Sequence, residues 1–349
     1  MRIGFDTSPL VRPHPPGIVR VVRGAIQALE RTPGITALRF EPKTGENLLA
    51  WRQASLPQLV REREIVGLHS FVSAFALAGP GRRVQTIHEL PWRHRVRENS
   101  GLRHRFWAAI ASRRADLIVC GSRFVAEELG RGTLAARVRV CPWGVDAHHF
   151  GLAPSAELLG EVRESLGISA ASEDAPALLV ALGAVRRKKN VAAVLHGMRE
   201  HHRAGGSAVK LAISGEIGAQ AREDQALARS LDLAGNVHWL GTLDESRLVA
   251  LLHASSAAVV LSRSEGFGLP VLEAFAAGRT VIVARDTAQS EVAAGLGIEV
   301  NPDDAESVAR GIQQAIEDDG RAPERRAQAA LFSWERCAQR IAEIWREFA

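Results

Sequence analysis

The chain has 349 residues, of which 46% are hydrophobic and 24% charged. This length allows two domains that each bury a core, and the composition is ordinary for a globular protein. No stretch approaches the roughly 20 apolar residues of a membrane-spanning helix, and Met1–Asp6 is too short an apolar run for a signal peptide. The three cysteines, Cys120, Cys141 and Cys337, are far apart in sequence, which predicts neither a disulfide framework nor a zinc site. We therefore expect a cytoplasmic protein.

The formal charge of +5 is unevenly distributed along the chain. Residues 1–150 carry 23 Lys and Arg against 12 Asp and Glu, whereas residues 151–349 carry 21 against 27. This asymmetry indicates that the two halves meet different partners, although arginine used simply as a surface cation would also explain it.

In the first half, short β-rich apolar runs alternate with helical patterns. The clearest helix is Ile18–Glu30, whose apolar residues recur every three or four positions and form one stripe. The predicted strands are Arg2–Asp6, Ala37–Phe40, Ile65–His69, Arg83–Ile87, Ala115–Cys120 and Arg137–Cys141.

The second half repeats this alternation. Its predicted strands are Ala177–Leu182, Lys210–Ser214, Val237–Leu240, Ala257–Leu261, Thr280–Ala284 and Ile298–Val300. Its predicted helices are Val191–His201, Ala221–Leu231, Asp244–His253, Pro270–Ala277, Glu306–Ile316 and Ser333–Phe348. Short apolar strands between amphipathic helices predict an α/β fold with doubly wound parallel sheets, covered by helices on both faces.

Two such domains are expected, facing each other across a ligand-binding cleft. We expect a Rossmann-like domain over residues 1–150, a linker over 151–176, and a second Rossmann-like domain over 177–332. The linker is predicted from its prolines, serines and polar run. The last helix, residues 333–349, is expected to pack back on the first domain.

The segment Glu265–Glu273 follows a predicted strand and enters a predicted helix. Pro270 suits the first turn of that helix, and Gly278 suits the left-handed residue just past its end. Gly266 and Gly268 allow the backbone to approach a ligand, and the helix N-terminus favours an anion. A turn of this kind also fits an ordinary surface loop.

Two carboxylates frame this loop, and a carboxylate that accepts two hydrogen bonds suits the vicinal diol of a hexose or a ribose. The whole string Glu-Gly-Phe-Gly-Leu-Pro-Val-Leu-Glu resembles the E-x7-E motif of family 4 glycosyltransferases, which have the GT-B architecture of two Rossmann-like domains. The resemblance implies that Glu265 contacts the transferred sugar and that Glu273 contacts the ribose of the nucleotide. It also implies that the residues between them bind the sugar and the diphosphate: Gly266, Phe267, Gly268 and Leu269.

Residues 182–190 resemble the strand-end segment of the same family that supplies cations for the donor diphosphate. The resemblance assigns phosphate binding to Lys189, with Lys188 beside it. Clustered cations at this position can stabilise a leaving group that gains negative charge. Because an arginine that many members carry is missing, we expect Arg186 or Arg187 to supply that charge instead. The alternative is a solvated cationic run leading into a helix.

In the first half, Gln85–Pro91 ends a predicted strand and resembles the T-I-H-D-L segment of bacterial mannosyltransferase-like members. The histidine of that segment lies near the reacting sugar, and the resemblance gives this role to His88, although a histidine at a strand end is more often structural. Pro15–Arg20 resembles a glycine-rich loop of the family, although its second glycine is replaced here. Gly17 and Arg20 are therefore predicted to lie in the cleft.

The resemblance implies a retaining transferase that moves a hexose from a nucleotide-diphosphate sugar to a glycan or lipid-linked acceptor. The strings around His88 and Lys189 favour mannose, and hence GDP-mannose. The sequence contains no D-x-D motif, so neither a metal nor another cofactor is expected. Two alternatives remain open: a nucleotide-sugar 2-epimerase of the same architecture, and a non-catalytic nucleotide-sugar-binding protein.

The most basic part of the sequence is Pro91–Arg114, where aromatic residues are interleaved with arginines and histidines. This pattern fits a membrane surface that carries a lipid-linked acceptor. It also fits nucleic acid, which the donor motif disfavours. We therefore expect peripheral contact with an anionic membrane at its inner face, and no nucleic-acid partner.

Overall fold

The computed structural model describes residues 1–94, 96, 102–130, 135–168, 175–317 and 320–348. The chain forms two compact units, Met1–Val145 with Phe332–Ala349, and Asp146–Leu331. Within the described residues, each unit contains one parallel sheet of six strands with helices between the strands. The predicted fold class is therefore confirmed.

The sheet of the first unit has the strand order β2-β1-β3-β4-β5-β6, and all neighbouring pairs are parallel. Its strands are β1 (Arg2–Asp6), β2 (Thr36–Phe40), β3 (Gly67–Ser70), β4 (Arg82–Thr86), β5 (Leu117–Cys120) and β6 (Val138–Val140). The order reverses beside β1, because β2 lies on one side of it and the later strands lie on the other. Ligands bind at such a reversal in open α/β sheets.

The sheet of the second unit has the order β12-β11-β10-β7-β8-β9, again with parallel pairs. Its strands are β7 (Ala177–Leu182), β8 (Val209–Ser214), β9 (Val237–Gly241), β10 (Ala257–Val260), β11 (Thr280–Ala284) and β12 (Ile298–Val300). The central strands β10 and β11 are buried along their whole length, as expected of strands covered on both faces. Here the order reverses between β7 and β10.

The helices lie mainly between the strands. They are α1 (Pro16–Leu29), α2 (Leu48–Ala50), α3 (Leu56–Arg63), α4 (Leu102–Arg105), α5 (Arg123–Gly130), α6 (Ala147–Gly151), α7 (Ala156–Ser165), α8 (Val191–Arg203), α9 (Ala219–Ser230), α10 (Glu245–Ala254), α11 (Leu269–Ala276), α12 (Ala288–Ala293), α13 (Ala305–Ile316), α14 (Ala322–Ala330) and α15 (Trp334–Arg346). Every strand and helix predicted from the sequence has a counterpart whose ends differ by at most two residues.

The chain enters the second unit after Val145, before the expected linker at 151–176. Asp146 caps α6 by accepting a hydrogen bond from the backbone N–H of His149 at 2.9 Å. Phe150 is buried in the second unit, and its carbonyl oxygen lies 2.9 Å from Nε2 of His253 in α10. The end of the expected first domain, residues 146–150, therefore packs with the second unit.

Part of the expected linker is helical, because α7 lies inside it and packs against α10. Ser155 accepts a hydrogen bond from the N–H of Leu158 at 3.2 Å, which caps the first turn of α7. The serine therefore marks the start of a helix rather than a flexible connection. The polar run at 171–174 lies outside the described residues.

The last helix, α15, belongs to the first unit, where it packs against α1. Ile341, Ile344 and Trp345 on its apolar face are fully buried. A side chain at Gly24 of α1 would clash with the indole ring of Trp334, so this glycine permits the close approach of the two helices. The end of the chain thus completes the core of the unit in which the chain begins.

Candidate functional site

The predicted donor loop connects β10 to α11 in the second unit. Gly268 has a φ of 125°, a conformation that favours glycine, and α11 begins directly after it. Pro270 is the second residue of that helix. Gly278 has a φ of 76° and donates a backbone hydrogen bond to the carbonyl of Phe275 at 2.9 Å. The predicted proline start and glycine stop are therefore confirmed.

The loop after β7 approaches the loop after β10. It contains a turn of 3-10 helix over Arg187–Lys189, followed by α8. The N–H of Arg263 donates a hydrogen bond to the carbonyl of Lys188 at 2.8 Å, which joins the two backbones. A Cβ atom at Gly183 would lie 3.1 Å from Cε of Lys189, so a glycine at this position leaves room for the lysine side chain.

Lys189 and Glu265 form an ion pair across these two loops. The distance from Nζ of Lys189 to Oε1 of Glu265 is 2.7 Å, and the two side chains are 18% and 16% exposed. Burial by itself would raise the pKa of Glu265, but the charges of Lys189 and Lys188 and a hydrogen bond from Ser262 lower it to about 2. Glu265 is thus ionised at neutral pH, and its oxygens are available to accept hydrogen bonds.

The ion pair lies where the strand order of the second sheet reverses. β7 and β10 are neighbours in the sheet, and the chain leaves them towards opposite edges. A small cavity lies at the same place, lined by Gly183, Lys189 and Ser262 together with apolar residues of β7, β8 and β10. The position, the partial burial and the paired charges are those expected of a site for a charged ligand.

The other predicted cations differ in their surroundings. Arg187 is exposed and pairs with Glu223 of α9 at 3.2 Å, so its side chain is directed towards that helix. Arg186 is half-buried in extended backbone, and its carbonyl accepts a hydrogen bond from the N–H of Lys189 at 2.9 Å. Lys188 acts on the site through its charge, which contributes to the lowered pKa of Glu265.

The remaining donor-loop residues are buried where the loop enters α11. Gly266, Phe267 and Leu269 are buried, and Glu273 lies in the second turn of the helix and is also buried. The protein therefore encloses the carboxylate of Glu273, to which the family resemblance assigns contact with the ribose. That assignment of Glu273 stays a prediction.

His88 lies in the first unit, two residues after β4. Its Nε2 atom is 2.8 Å from the carbonyl oxygen of Phe71, which follows β3. Because a carbonyl only accepts, Nε2 carries the proton in this hydrogen bond. The imidazole also lies against Trp143, with ring centroids 5.5 Å apart. His88 is thus held, half-buried, at the carboxyl edge of the first sheet.

A buried polar cluster that sequence reasoning missed lies at the same edge, between β1 and β3. Oδ2 of Asp6 accepts a hydrogen bond from Nε of Arg52 at 2.7 Å and one from Oγ of Ser70 at 3.3 Å. Arg52 also donates to Oγ of Ser8 at 2.8 Å. The position of Asp6 at the end of a predicted strand could have indicated a polar cluster. Its partner Arg52 could not be identified from the sequence, because it lies 46 residues further along the chain.

Gly17 and Arg20 lie in the first turns of α1 rather than in the predicted glycine-rich loop. Gly17 is exposed, and a Cβ atom there would meet nothing within 4 Å. The backbone therefore does not require glycine at this position, and the helix begins earlier than the sequence predicted, with Pro16 in its first turn. Arg20 is half-buried on the same helix.

The described helices include none that is both long and apolar enough to cross a membrane. In the same parts of the chain, no three His, Cys, Asp or Glu side chains come together as a metal ion would require.

Two family descriptions match the sequence. "Glycosyltransferase Family 4" matches residues 12–149 and "Glycosyl transferases group 1" matches residues 163–331. The first match lies almost entirely in the first unit and the second lies in the second unit.

Individual relatives are more distant. The O-antigen chain mannosyltransferase B of Escherichia coli is 35% identical over 107 residues, which are 30% of this chain and 28% of that protein. A glycogen synthase of Mycobacterium tuberculosis is 25% identical over 342 residues, covering 86% of this chain and 76% of the synthase. The crystal structure of Anabaena Alr3699/HepE in complex with UDP-glucose has a TM-score of 0.76 at 17% identity, covering 99% of this chain and 100% of that one. This likeness shows a shared fold.

Proposed function

Because the chain belongs to the group 1, family 4 glycosyltransferases of GT-B fold, we propose that it is a retaining hexosyltransferase. It transfers the hexose of a nucleotide-diphosphate sugar to a glycan or a lipid-linked acceptor. The observation that carries this proposal is the ion pair of Lys189 with Glu265 at the reversal point of the second sheet.

In the proposed reaction, the bond between the anomeric carbon and the diphosphate oxygen breaks while the acceptor hydroxyl forms a bond to that carbon from the same face. The acceptor proton passes to the leaving diphosphate. Lys189, Lys188 and the N-terminus of α11 stabilise the negative charge that the diphosphate gains. Glu265, ionised with a pKa of about 2, accepts hydrogen bonds from the sugar hydroxyls. His88 orients the reacting sugar.

For the donor we propose GDP-mannose. The strings around His88 and Lys189 resemble those of mannosyltransferase-like members, and the similarity to an O-antigen mannosyltransferase supports the same sugar. The HepE complex holds UDP-glucose, so UDP-glucose is the competing donor that an experiment must include.

For the location we propose the cytoplasmic face of an anionic membrane, with peripheral contact through the basic segment Pro91–Arg114. Residues 95 and 97–101 of this segment lie outside the described residues. We propose no nucleic-acid partner, because the donor motif disfavours one.

A thermal-shift panel of GDP, UDP, ADP and their sugars tests the proposal. We expect GDP and GDP-mannose to raise Tm by about 5 °C at about 100 times Kd. Lys189→Ala should abolish this shift, whereas Arg187→Ala, which changes an exposed cation paired with α9, should retain it. No shift with any nucleotide would contradict the whole assignment.

Product analysis separates the two alternatives from transfer. A transferase releases free nucleotide only when an acceptor is present. A 2-epimerase changes the sugar of the donor without releasing nucleotide, and a binding protein does neither. Release of GDP that depends on acceptor supports transfer, and epimerised donor without release contradicts it.

A further inference from the structure

One surface of the first unit is unusual for the outside of a protein. It lies on the segment Leu102–Arg114, which continues from α4 through a π-helical turn, Phe106–Ile110, into a short 3-10 helix. Trp107, Ala108 and Ser112 form the inner face and are buried. The exposed residues Leu102, Phe106 and Ile110 lie on the other side of the segment.

Three large apolar side chains lie on that outer face. Leu102, Phe106 and Ile110 are 83%, 41% and 55% exposed. Because they follow one another at intervals of four residues, they share one face of the segment, which we call the apolar ridge. Isolated exposed apolar residues are common, but an ordered row on one helical face indicates a surface that meets a partner.

Cations surround the apolar ridge. Arg103, Arg105, Arg113 and Arg114 are exposed, and the segment contains no acidic residue. Among the residues that the structure describes, none of these four guanidinium groups forms an ion pair. This positive charge beside an apolar ridge favours a partner that is both negatively charged and apolar.

The ridge is firmly attached to the sheet that carries His88. Nε2 of Gln85 in β4 donates hydrogen bonds to the carbonyl of Trp107 at 3.0 Å and to the carbonyl of Ser73 at 2.5 Å. His88 follows Gln85 by three residues. A partner bound at the ridge would therefore be held against the strand that leads to His88.

We propose that this ridge docks on an anionic lipid bilayer, with Leu102, Phe106 and Ile110 inserted below the headgroups and the four arginines on lipid phosphates. The inference rests on the proposed function, because a lipid-linked acceptor would then be presented to the unit that contains His88. The phosphates of a nucleic acid could pair with the arginines, but the apolar ridge would stay in water. A bilayer with anionic headgroups pairs with the arginines and also buries the ridge among its acyl chains.

Flotation of the full chain with phosphatidylcholine vesicles, with and without phosphatidylglycerol, tests the docking. The wild-type protein should float with the anionic vesicles and remain behind with the neutral ones. The triple variant Leu102→Ser, Phe106→Ser, Ile110→Ser should lower the bound fraction at least about tenfold. Arg113→Gln with Arg114→Gln should weaken binding about fivefold for each arginine removed.

Matched controls come from the second unit, where Leu152 and Leu331 are 52% and 51% exposed. Leu152→Ser and Leu331→Ser should float like the wild type. Equal binding to neutral and anionic vesicles, or full binding by the triple serine variant, would overturn the proposal. So would a ridge-dependent shift on duplex DNA without any flotation, or ridge-dependent dimerisation in sedimentation.

The nucleotide thermal shift distinguishes this failure from failure of the proposed function. The triple serine variant should keep the wild-type shift with nucleotide, because the donor residues lie in the second unit. A protein that floats but shows no nucleotide shift would contradict the proposed function alone. A protein that shows the shift but does not float would contradict the docking alone.

Discussion

Nζ of Lys189 lies 2.7 Å from Oε1 of Glu265, although 76 residues separate them in the sequence. The contact joins the loops after β7 and β10, which are neighbouring strands. Each charge thus satisfies the other in a partly buried site. Under the proposed function, a bound diphosphate would share the lysine, and sugar hydroxyls would share the carboxylate.

Removing the lysine should affect catalysis and stability together. In Lys189→Ala, Glu265 loses the nearest charge that offsets its burial, so its pKa should rise from about 2. We expect the transfer rate to fall by about 100-fold or more, measured as initial rates at the same donor concentration for the variant and the wild type. Tm should fall by a few degrees, because a partly buried charge is left unpaired.

Arg187→Ala is the control for this variant, since it also removes one cation from the same turn. Its rate should remain within about twofold of the wild type, because an exposed ion pair contributes little. A normal rate for Lys189→Ala would remove the lysine from the proposed site.

His88 should affect turnover more than donor binding. Its hydrogen bond to the carbonyl of Phe71 fixes the ring in the first unit, whereas the residues proposed to bind the donor lie in the second. We expect His88→Ala to lower kcat by about 100-fold while the Kd for the nucleotide changes little. Initial rates and nucleotide thermal shifts measure the two quantities. His148→Ala, at an exposed histidine, should change neither, and an unchanged kcat in His88→Ala would refute the role.

His69 should make the first unit sensitive to acid. It is fully buried, with Nδ1 accepting from the indole N–H of Trp345 at 3.4 Å and Nε2 lying 3.1 Å from Oγ1 of Thr86. Burial lowers the pKa of His69 from 6.5 to about 3. As the pH falls below 6.5 the unfolded chain therefore binds the proton first, so the free energy of unfolding should decrease by up to about 1.4 kcal/mol per pH unit.

Urea denaturation at pH 7, 6 and 5 measures this effect, with His69→Phe as the comparison. The variant loses hydrogen bonds and should be less stable at pH 7, but its stability should depend less on pH. His238 and His253, whose pKa values are also lowered, are present in both proteins, so their contributions to the pH dependence cancel in the comparison. Identical slopes in the two proteins would show that His69 does not carry the effect.

The ion pair of Asp6 with Arg52 should be important for folding. Both side chains are almost completely buried, at 2% and 3% exposure. Arg52→Met leaves the carboxylate without its cation, and we expect a loss of about 3–5 kcal/mol in the free energy of unfolding. Arg39→Met breaks a pair of similar length whose side chains are both 40% exposed, and it should cost less than about 1 kcal/mol. If urea denaturation shows the same loss of unfolding free energy for Arg52→Met and Arg39→Met, the greater importance of the buried pair is refuted.

Local patterns in the sequence determined the secondary structure well. The strand ends agree within two residues, because apolar runs and helical stripes depend on neighbours along the chain. Pro270 and Gly278 bound the donor helix for the same reason. The same reasoning placed the start of α1 two residues too late and missed α7, because its capping serine also fits a linker. It also gave no bounds for α3, α5, α6, α12 and α14.

The sequence by itself thus determined the alternation of strands and helices, the family and the bounds of the helix that follows the loop after β10. Only the tertiary structure decided which distant residues meet. It placed Lys189 beside Glu265 and Asp6 beside Arg52. It also brought Sγ of Cys141 within 3.8 Å of Sγ of Cys337, and both of these cysteines are buried. It also decided that Leu102, Phe106 and Ile110 face outwards. Strand order and burial depend on packing between residues that are far apart in sequence, and the spacing of neighbouring residues carries no information about that packing.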